Sequence, residues 1–189
     1  MGEERFFFYR SPVGLLRLKA EGGYLTGLIV ARDVAQMEGC GLVGERPVRA
    51  AGGKDGMEPA RKEPDGPDQP EDLVLRETVR QLDEYFAGKR RDFSIPIKTH
   101  GTDFQERVWK ALRAIPYGET RTYGQIAAQV GNPKASRAVG GANHNNPILI
   151  LTPCHRVIGA DGSLTGFGGG LDVKEALLAL EKTGAKAEG

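Results

Sequence analysis

The sequence predicts an α+β fold in two parts, a small antiparallel sheet with a helix followed by a mostly helical region containing a helix-turn-helix. Three observations carry this. Between Arg5 and Arg32, short apolar stretches alternate with turn residues at strand length, whereas beyond Leu73 apolar residues recur every three or four positions. Between the two, from about Asp33 to Asp72, the composition shifts to Gly, Pro, Glu, Lys and Arg. A chain of 189 residues can bury a sizeable core as one domain or two. The change of pattern favours two, over 1–98 and 99–189.

The first strands are Phe6-Phe7-Phe8-Tyr9, Gly14 to Leu18 and Tyr24 to Val30, separated by Ser11-Pro12 and Glu21-Gly22-Gly23 as turns. The insertion 33–72, with Gly52-Gly53-Lys54-Asp55-Gly56 and Pro64-Asp65-Gly66-Pro67-Asp68, has too little apolar surface to fold and is expected to be mobile. It holds Cys40, read as an incidental exposed thiol. A helix is expected from Leu73 to Ala87, with Leu75, Val79, Leu82 and Phe86 on its buried stripe and Gly88 as the stop. Lys89-Arg90-Arg91 at its end suits a phosphate contact or, the favoured reading, complements the helix dipole. After Phe93 to Ile97 the chain crosses Thr99-His100-Gly101 into the second part.

There Thr102 and Gln105 form a capping box, opening a helix with Phe104, Val108, Leu112 and Ile115 on one stripe and Trp109 beside them as a core residue. Thr122 and Gln125 form a second box, starting a short helix through Val130 that Gly131 stops. Asn132-Pro133 fits the N-cap and first position of the next helix, Pro133 to about Ala142. Helix, tight turn, helix is the helix-turn-helix pattern. The second helix carries Ala135, Ser136, Ala138, Gly140 and Gly141 around one long cation, Arg137. Small residues there suit close approach to DNA or tight packing in a core, and the pattern alone does not choose. Asn143-His144-Asn145-Asn146-Pro147 reads as a polar turn, Asp161-Gly162-Ser163 as a hairpin-like turn, and Gly166 to Gly170 as a flexible loop forming a pocket wall. A final helix is expected from Asp172 to about Lys182, with Val173, Ala176, Leu177 and Leu180 inward and Glu181 positioned to reach inward.

The formal net charge is only +1, so global charge does not announce a nucleic-acid partner. Its distribution says more. From Thr120 to Ala160 there is no acidic residue, while Arg121, Lys134, Arg137 and Arg156 are all present. The N-terminus lacks a signal-peptide pattern and no stretch is long enough to span a bilayer, so a soluble cytoplasmic protein with no membrane partner is expected. The two cysteines form neither a disulfide framework nor a metal-ligand pattern.

The second cysteine lies in the most informative stretch. The apolar run Ile148 to Leu151 ends at Thr152-Pro153, and Cys154-His155-Arg156 follow, so a thiol emerges where the chain leaves a buried segment. A thiol is nucleophilic as thiolate, aided by an imidazole, a cation or a helix N-terminus, and His155 and Arg156 are adjacent. In extended backbone Cys154 and His155 would point to opposite faces, so a turn or a bridging water is needed for them to communicate.

With its flanks, this stretch resembles the active-site motif of the O6-alkylguanine-DNA alkyltransferases, direct-reversal DNA repair proteins. The similarity runs from about Asp103 to Glu181 through Val108-Trp109-Lys110, Ile115-Pro116-Tyr117-Gly118, Thr122 to Ala127, Ser136 to Ala142 and Asn146-Pro147, in order. It implies a stoichiometric methyltransferase that moves the alkyl group of O6-alkylguanine in double-stranded DNA, with O4-alkylthymine a second candidate lesion, irreversibly to Cys154. By the same resemblance His155 takes the thiol proton through a water, Glu181 holds the His155 tautomer, Tyr123 donates a proton to the leaving base, and Asn146 braces the turn. Arg137 takes the place of the flipped-out nucleotide, on a helix that enters the minor groove. Tyr123, Asn132, Ala135 and Ser136 join it at the DNA, and Val157, Phe167 and Gly168 line the guanine pocket. No cofactor and no metal are expected, and a monomer is.

Three departures from the family pattern stand out: the zinc-ligand cluster found in the N-terminal domain of some relatives has no counterpart, Phe167 sits where relatives often carry Tyr, and the 33–72 insertion is long. Two other readings compete. A cysteine hydrolase using Cys154 and His155 predicts turnover but leaves Arg137 unexplained. A non-catalytic alkyl-lesion sensor or DNA-binding regulator would sooner carry Ala or Trp at position 154.

Overall fold

The computed structural model describes residues 4–31 and 69–186. Most of the expected insertion, with Cys40, lies outside these residues.

Strands β1 (Arg5–Ser11), β2 (Gly14–Glu21) and β3 (Tyr24–Val30) form an antiparallel sheet in the order β1-β2-β3. Leu16, Leu18, Leu25 and Leu28 of this sheet are fully buried, each contributing roughly 1.5–3 kcal/mol by leaving water. The pairing of β2 with β3 shifts register between Lys19 and Ala20, a local bulge. Two later segments pair with β3: Leu25 bridges Ile97, and Leu28 bridges Ile148 just ahead of the Cys154 turn. The sheet therefore fixes the segment that carries the thiol.

Helix α1 (Pro70–Phe86) starts earlier than the expected Leu73. Pro70 occupies a first-turn position that needs no N–H donor, and the Asp72 carboxylate accepts from the Gln69 backbone N–H at 3.4 Å, so the end of the presumed insertion belongs to the helix. Its buried stripe is also rotated from the one expected. Val74, Leu75, Thr78, Gln81, Leu82 and Tyr85 are buried, while Val79 and Phe86 stand at the flank. Apolar periodicity missed this because two stripe positions are polar and satisfied: Thr78 Oγ1 donates to the Val74 carbonyl (2.7 Å), and Gln81 Oε1 accepts from Ser94 N (2.9 Å). Arg90 pairs at 2.6 Å with Glu84 in the last turn of α1, whereas Arg91 donates to the Gly184 carbonyl at 3.1 Å, a tertiary contact.

Helix α2 (Asp103–Arg113) follows the Thr102–Gln105 capping box, and Trp109 is 1% exposed with its Nε1 donating to the Ala142 carbonyl at 2.9 Å. Short strand β4 (Arg121–Thr122) leads into α3 (Tyr123–Gln129) through the second capping box. Helix α4 (Ser136–His144) begins three residues later than expected. Asn132-Pro133-Lys134-Ala135 is instead a turn closed by Ala135 N to the Asn132 carbonyl at 2.9 Å, with Pro133 at its second position, where its fixed φ suits a turn as well as a helix start. Asn143 and His144 belong to α4, so the polar turn is shorter than expected. A single 3₁₀ turn (Cys154–Arg156) precedes β5 (Val157–Ile158), which pairs in parallel with β4. Helix α5 (Leu171–Lys186) closes the fold. Within α5, Ala176 is exposed, contrary to expectation, and Lys174 is buried alongside Val173, Leu177 and Glu181. Among the described residues no helix is long and apolar enough to cross a membrane.

Candidate active site

The segment leading to the thiol is tightly constrained. Leu28 N donates to the Pro147 carbonyl and Leu149 N to the Leu28 carbonyl, both at 2.8 Å, pinning the segment to β3. The chain then folds back on itself: Ile150 has φ of 69°, a left-handed conformation unusual for a β-branched residue, and Thr152 N reaches the Ile148 carbonyl at 3.1 Å. Asn146 spans the loop. Its Nδ2 donates to the Thr152 carbonyl (2.7 Å) and to Cys154 Sγ (3.1 Å), and its Oδ1 accepts from Ile148 N (3.1 Å). Pro153 opens the 3₁₀ turn, so Cys154 and His155 do not alternate as they would in a strand, and both are buried.

The adjacent charges converge on one carboxylate. Glu181 is 1% exposed, and its Oε1 accepts from His155 Nε2 (2.8 Å), Arg156 Nη2 (2.9 Å) and the Tyr85 hydroxyl (2.7 Å). Its Oε2 accepts from Arg156 Nε (2.9 Å) and Gly118 N (3.2 Å). Burial alone would raise the Glu181 pKa, but hydrogen bonds and charges from His155 and Arg156 overcome it and hold the carboxyl well below its usual range. An ionised carboxylate only accepts, so His155 Nε2 carries the proton and Nδ1 has the free lone pair. That Nδ1 is buried and makes no hydrogen bond to another protein group. Burial depresses the His155 pKa, against the pull of Glu181, so the ring is neutral at pH 7. Arg156 is thus engaged with Glu181 and, through Nη1, with the Ile115 carbonyl (2.6 Å), and it does not serve as the cation beside the thiol.

Lys174 takes that place, unforeseen from the sequence. It is fully buried, with Nζ donating to the Val157 carbonyl (2.6 Å) and the Thr165 carbonyl (2.8 Å). Desolvation pushes the Cys154 thiol up to about 11, while the Asn146 hydrogen bond and the Lys174 charge pull it down. The resting sulfur is therefore a protonated thiol, and a base must take its proton as it reacts. Positions 174, 177 and 181 share one helical face, but apolar periodicity does not select a lysine for an inward stripe. Tyr85 was missed because the stripe was drawn through Phe86.

The pairing of β4 with β5 brings the start of α3 beside the thiol turn: Arg121 registers with Val157 and Thr122 with Ile158. Val157 is fully buried. Tyr123, half-buried, donates from its hydroxyl to the Thr165 carbonyl at 3.0 Å, the same oxygen that Lys174 engages. Phe167 is buried rather than part of a loose loop, and its ring lies edge-on to His155 at 6.5 Å between centroids, while Gly168 is exposed. Asn132 and Arg137 are exposed and Ala135 and Ser136 half-buried, along the turn and α4. The small residues of α4 differ in exposure: Gly140 is half-buried near the Tyr123 ring, whereas Ala138 and Gly141 are exposed with Arg137. Of the four cations in the acid-free stretch, Arg156 is buried on Glu181 and Arg121 pairs with Glu119 at 2.8 Å, which leaves Lys134 and Arg137 as the exposed charge of this face. Among the described residues no cluster of His, Cys, Asp and Glu is arranged to hold a metal ion.

The chain as a whole is similar to known proteins. The chain is 46% identical over 172 residues to the methylated-DNA–protein-cysteine methyltransferase of Mycolicibacterium paratuberculosis, covering 91% of this chain and 88% of that one. It is 63% identical over 107 residues to the protein of the same name from Methanosarcina acetivorans, covering 57% and 69%. Among solved structures, the crystal structure of Mycobacterium tuberculosis OGT in complex with DNA superposes with a TM-score of 0.72 at 43% identity, over 96% of this chain and 93% of that one. Residues 5–99 match the model of the 6-O-methylguanine DNA methyltransferase ribonuclease-like domain and residues 103–183 that of the DNA-binding domain. With both domain models matched in order along one chain, this protein belongs to the 6-O-methylguanine DNA methyltransferase family.

Proposed function

We propose that this protein repairs double-stranded DNA by direct reversal, taking the alkyl group from O6 of guanine onto Cys154 once per molecule, as a methylated-DNA–protein-cysteine methyltransferase. The observation that carries the reading is a buried thiol beside a neutral histidine whose Nε2 is tied to an ionised carboxylate. His155 Nδ1 takes the thiol proton through a water. The sulfur attacks the alkyl carbon, a C–S bond forms as the C–O bond breaks, and the electron pair leaves with guanine. Tyr123 supplies the proton that neutralises the departing base. Asn146 holds the sulfur in line, and Lys174 stabilises the charge that develops on it.

The target base must leave the stack to reach a sulfur buried this deeply. Arg137, exposed on α4, fills the space left in the duplex, with Asn132, Ala135 and Ser136 against the backbone, while Val157, Phe167 and Gly168 wall the guanine pocket. The thioether product has no easy hydrolytic exit, so the protein acts once and needs no cofactor. A monomer working in the reducing cytoplasm suits this chemistry, as does a division near residue 98 that lets the helical part present both α4 and the thiol.

The test is mass spectrometry of the protein mixed with duplex DNA bearing one O6-methylguanine, alongside Cys154→Ala. One methyl group on the Cys154 peptide, saturating at one per molecule and absent from the variant, is expected. Binding to the lesion without modification would favour the sensor reading.

A further inference from the structure

Every group in the proposed reaction so far comes from the second half of the chain, yet one ligand of its carboxylate does not. Tyr85 lies on α1, is fully buried, and donates its hydroxyl to Glu181 Oε1 at 2.7 Å across 96 positions of sequence. The same oxygen accepts from His155 Nε2 at 2.8 Å. With Arg156 Nη2 a third donor to it, this oxygen is shared by groups that compete for its electron density: each hydrogen bond to the carboxylate disperses its charge and weakens its attraction for the protons of the others. The ring is firmly held. It meets Phe86, Phe93 and Tyr117 at centroid distances of 5.3, 5.4 and 6.0 Å, so the phenol has a single direction to point.

We propose that Tyr85 is a positioning residue for the alkyl-transfer site, its phenol fixing Glu181 Oε1 and setting how strongly that carboxylate pulls on the His155 ring. This rests on the functional reading above for its consequence in repair, though not for the coupling itself. The other groups facing the pair are accounted for. From the 3₁₀ turn come Arg156, bonded to both carboxylate oxygens, and the Cys154 thiol. From the turn after α2 come Gly118 N and the Tyr117 ring, the latter lying against the Arg156 and Arg91 guanidinium groups at 5.8 and 5.6 Å. From α5 comes Lys174, whose Nζ is spent on the Val157 and Thr165 carbonyls. Tyr85 is thus the neutral donor whose strength can be altered without changing a charge in the cluster.

The sign follows directly. Removing the phenol leaves Oε1 more basic, so His155 binds a proton more readily, and a more acidic phenol does the reverse. In Tyr85→Phe the acid limb of the single-turnover transfer rate against pH is expected to move up by about half a unit to one unit, with lesion affinity unchanged. With 3-fluorotyrosine at position 85, which keeps the ring and strengthens the donor, it is expected to move down. Leu82→Ala, about one turn earlier on α1 at a buried side chain that cannot hydrogen-bond Glu181, should lower stability and leave the pH profile in place. Titration of the His155 ring by NMR reads the same displacement without needing any methyl transfer. A failure of repair altogether is therefore distinguishable from a failure of the coupling. If the His155 titration and the rate profile of both Tyr85 variants superimpose on wild type, Tyr85 is only a core residue and the inference is overturned.

Discussion

The Glu181 cluster and the α3–α4 face are built on opposite principles. The cluster is saturated: five hydrogen bonds from four residues converge on a buried carboxylate whose acceptor sites they fill, and Tyr85, His155 and Arg156 are buried with it. The face presents Arg137 and Lys134 to solvent among Ala138 and Gly141. A group that must hold one proton on one nitrogen benefits from being over-determined, because every additional bond removes an alternative geometry. A surface that must receive a duplex cannot spend its cations on its own chain. Substitutions in the cluster should therefore cost stability and chemistry together, and those on the face should cost only what involves DNA.

The largest effect is expected from Glu181→Gln. It removes the charge that neutralises a buried Arg156 and leaves an amide among donors, so unfolding free energy should fall by about 3–5 kcal/mol in urea titration, with methyl transfer falling alongside it. pH sharpens the test. The Glu181 carboxyl is held below its unfolded value near 4.3, so the stability it lends is full above that value and drains as pH falls through the folded one. The His155 pKa is also depressed, so stability is fully present above about 6.5 and begins to be lost as pH falls below it. Wild type should thus weaken from about pH 6.5 downward and steepen below about 4, and Glu181→Gln should lack the second step. A variant with wild-type stability at pH 7 would mean that the cluster is not the rigid element described here.

Arg137→Ala is the complementary case. Stability should change by less than about 0.5 kcal/mol, while transfer from an O6-methylguanine paired in duplex slows by roughly 10- to 100-fold, since filling the vacated stack offsets a few kcal/mol of unstacking. The same lesion in a single strand, already unstacked, should be repaired at close to the wild-type rate. Equal losses on both substrates would assign Arg137 to general phosphate attraction instead. Between these extremes stands Lys174→Met, which removes a cation that lowers the thiol pKa from inside the protein. About one unit of further rise in that pKa corresponds to roughly tenfold slower transfer at neutral pH, on duplex and single strand alike.

The same contrast governs how much could be read from residues alone. The strands, the capping boxes at Thr102 and Thr122, and the thiol turn are local patterns, and each is found close to its expected position, the largest difference being β2, which runs on to Glu21 rather than ending at Leu18. The rotated stripe of α1, the later start of α4 and the burial of Lys174 and Tyr85 were not legible, because in each case distant partners decide. Gln81 is acceptable inside because Ser94 satisfies it, and Lys174 because two carbonyls 17 and 9 residues before it turn toward it. Arg156 misled for the same reason: adjacency to Cys154 suggested a partner for the thiol, whereas its guanidinium is drawn to a carboxylate 25 residues away. Periodicity detects what is apolar, and a polar core has to be found through its partners.

The smallest effect is expected where the two regions join. Thr122 caps α3 by accepting from Gln125 N at 3.2 Å, and its neighbour Tyr123 is the first residue of a helix only seven residues long. Loss of the cap in Thr122→Ala should cost about 1 kcal/mol, and in so short a helix the cost should appear as local fraying rather than global unfolding. Amide exchange in 123–126 should accelerate several-fold while exchange in α1 and α5 stays near wild type. Because Tyr123 and the β4–β5 pairing share this start, duplex repair should slow slightly, by less than about fivefold, with the His155 titration unmoved. A shift in that titration would show that the face and the cluster are not separable, and that the α3 start transmits to the imidazole through the Thr165 carbonyl, which Tyr123 and Lys174 both engage.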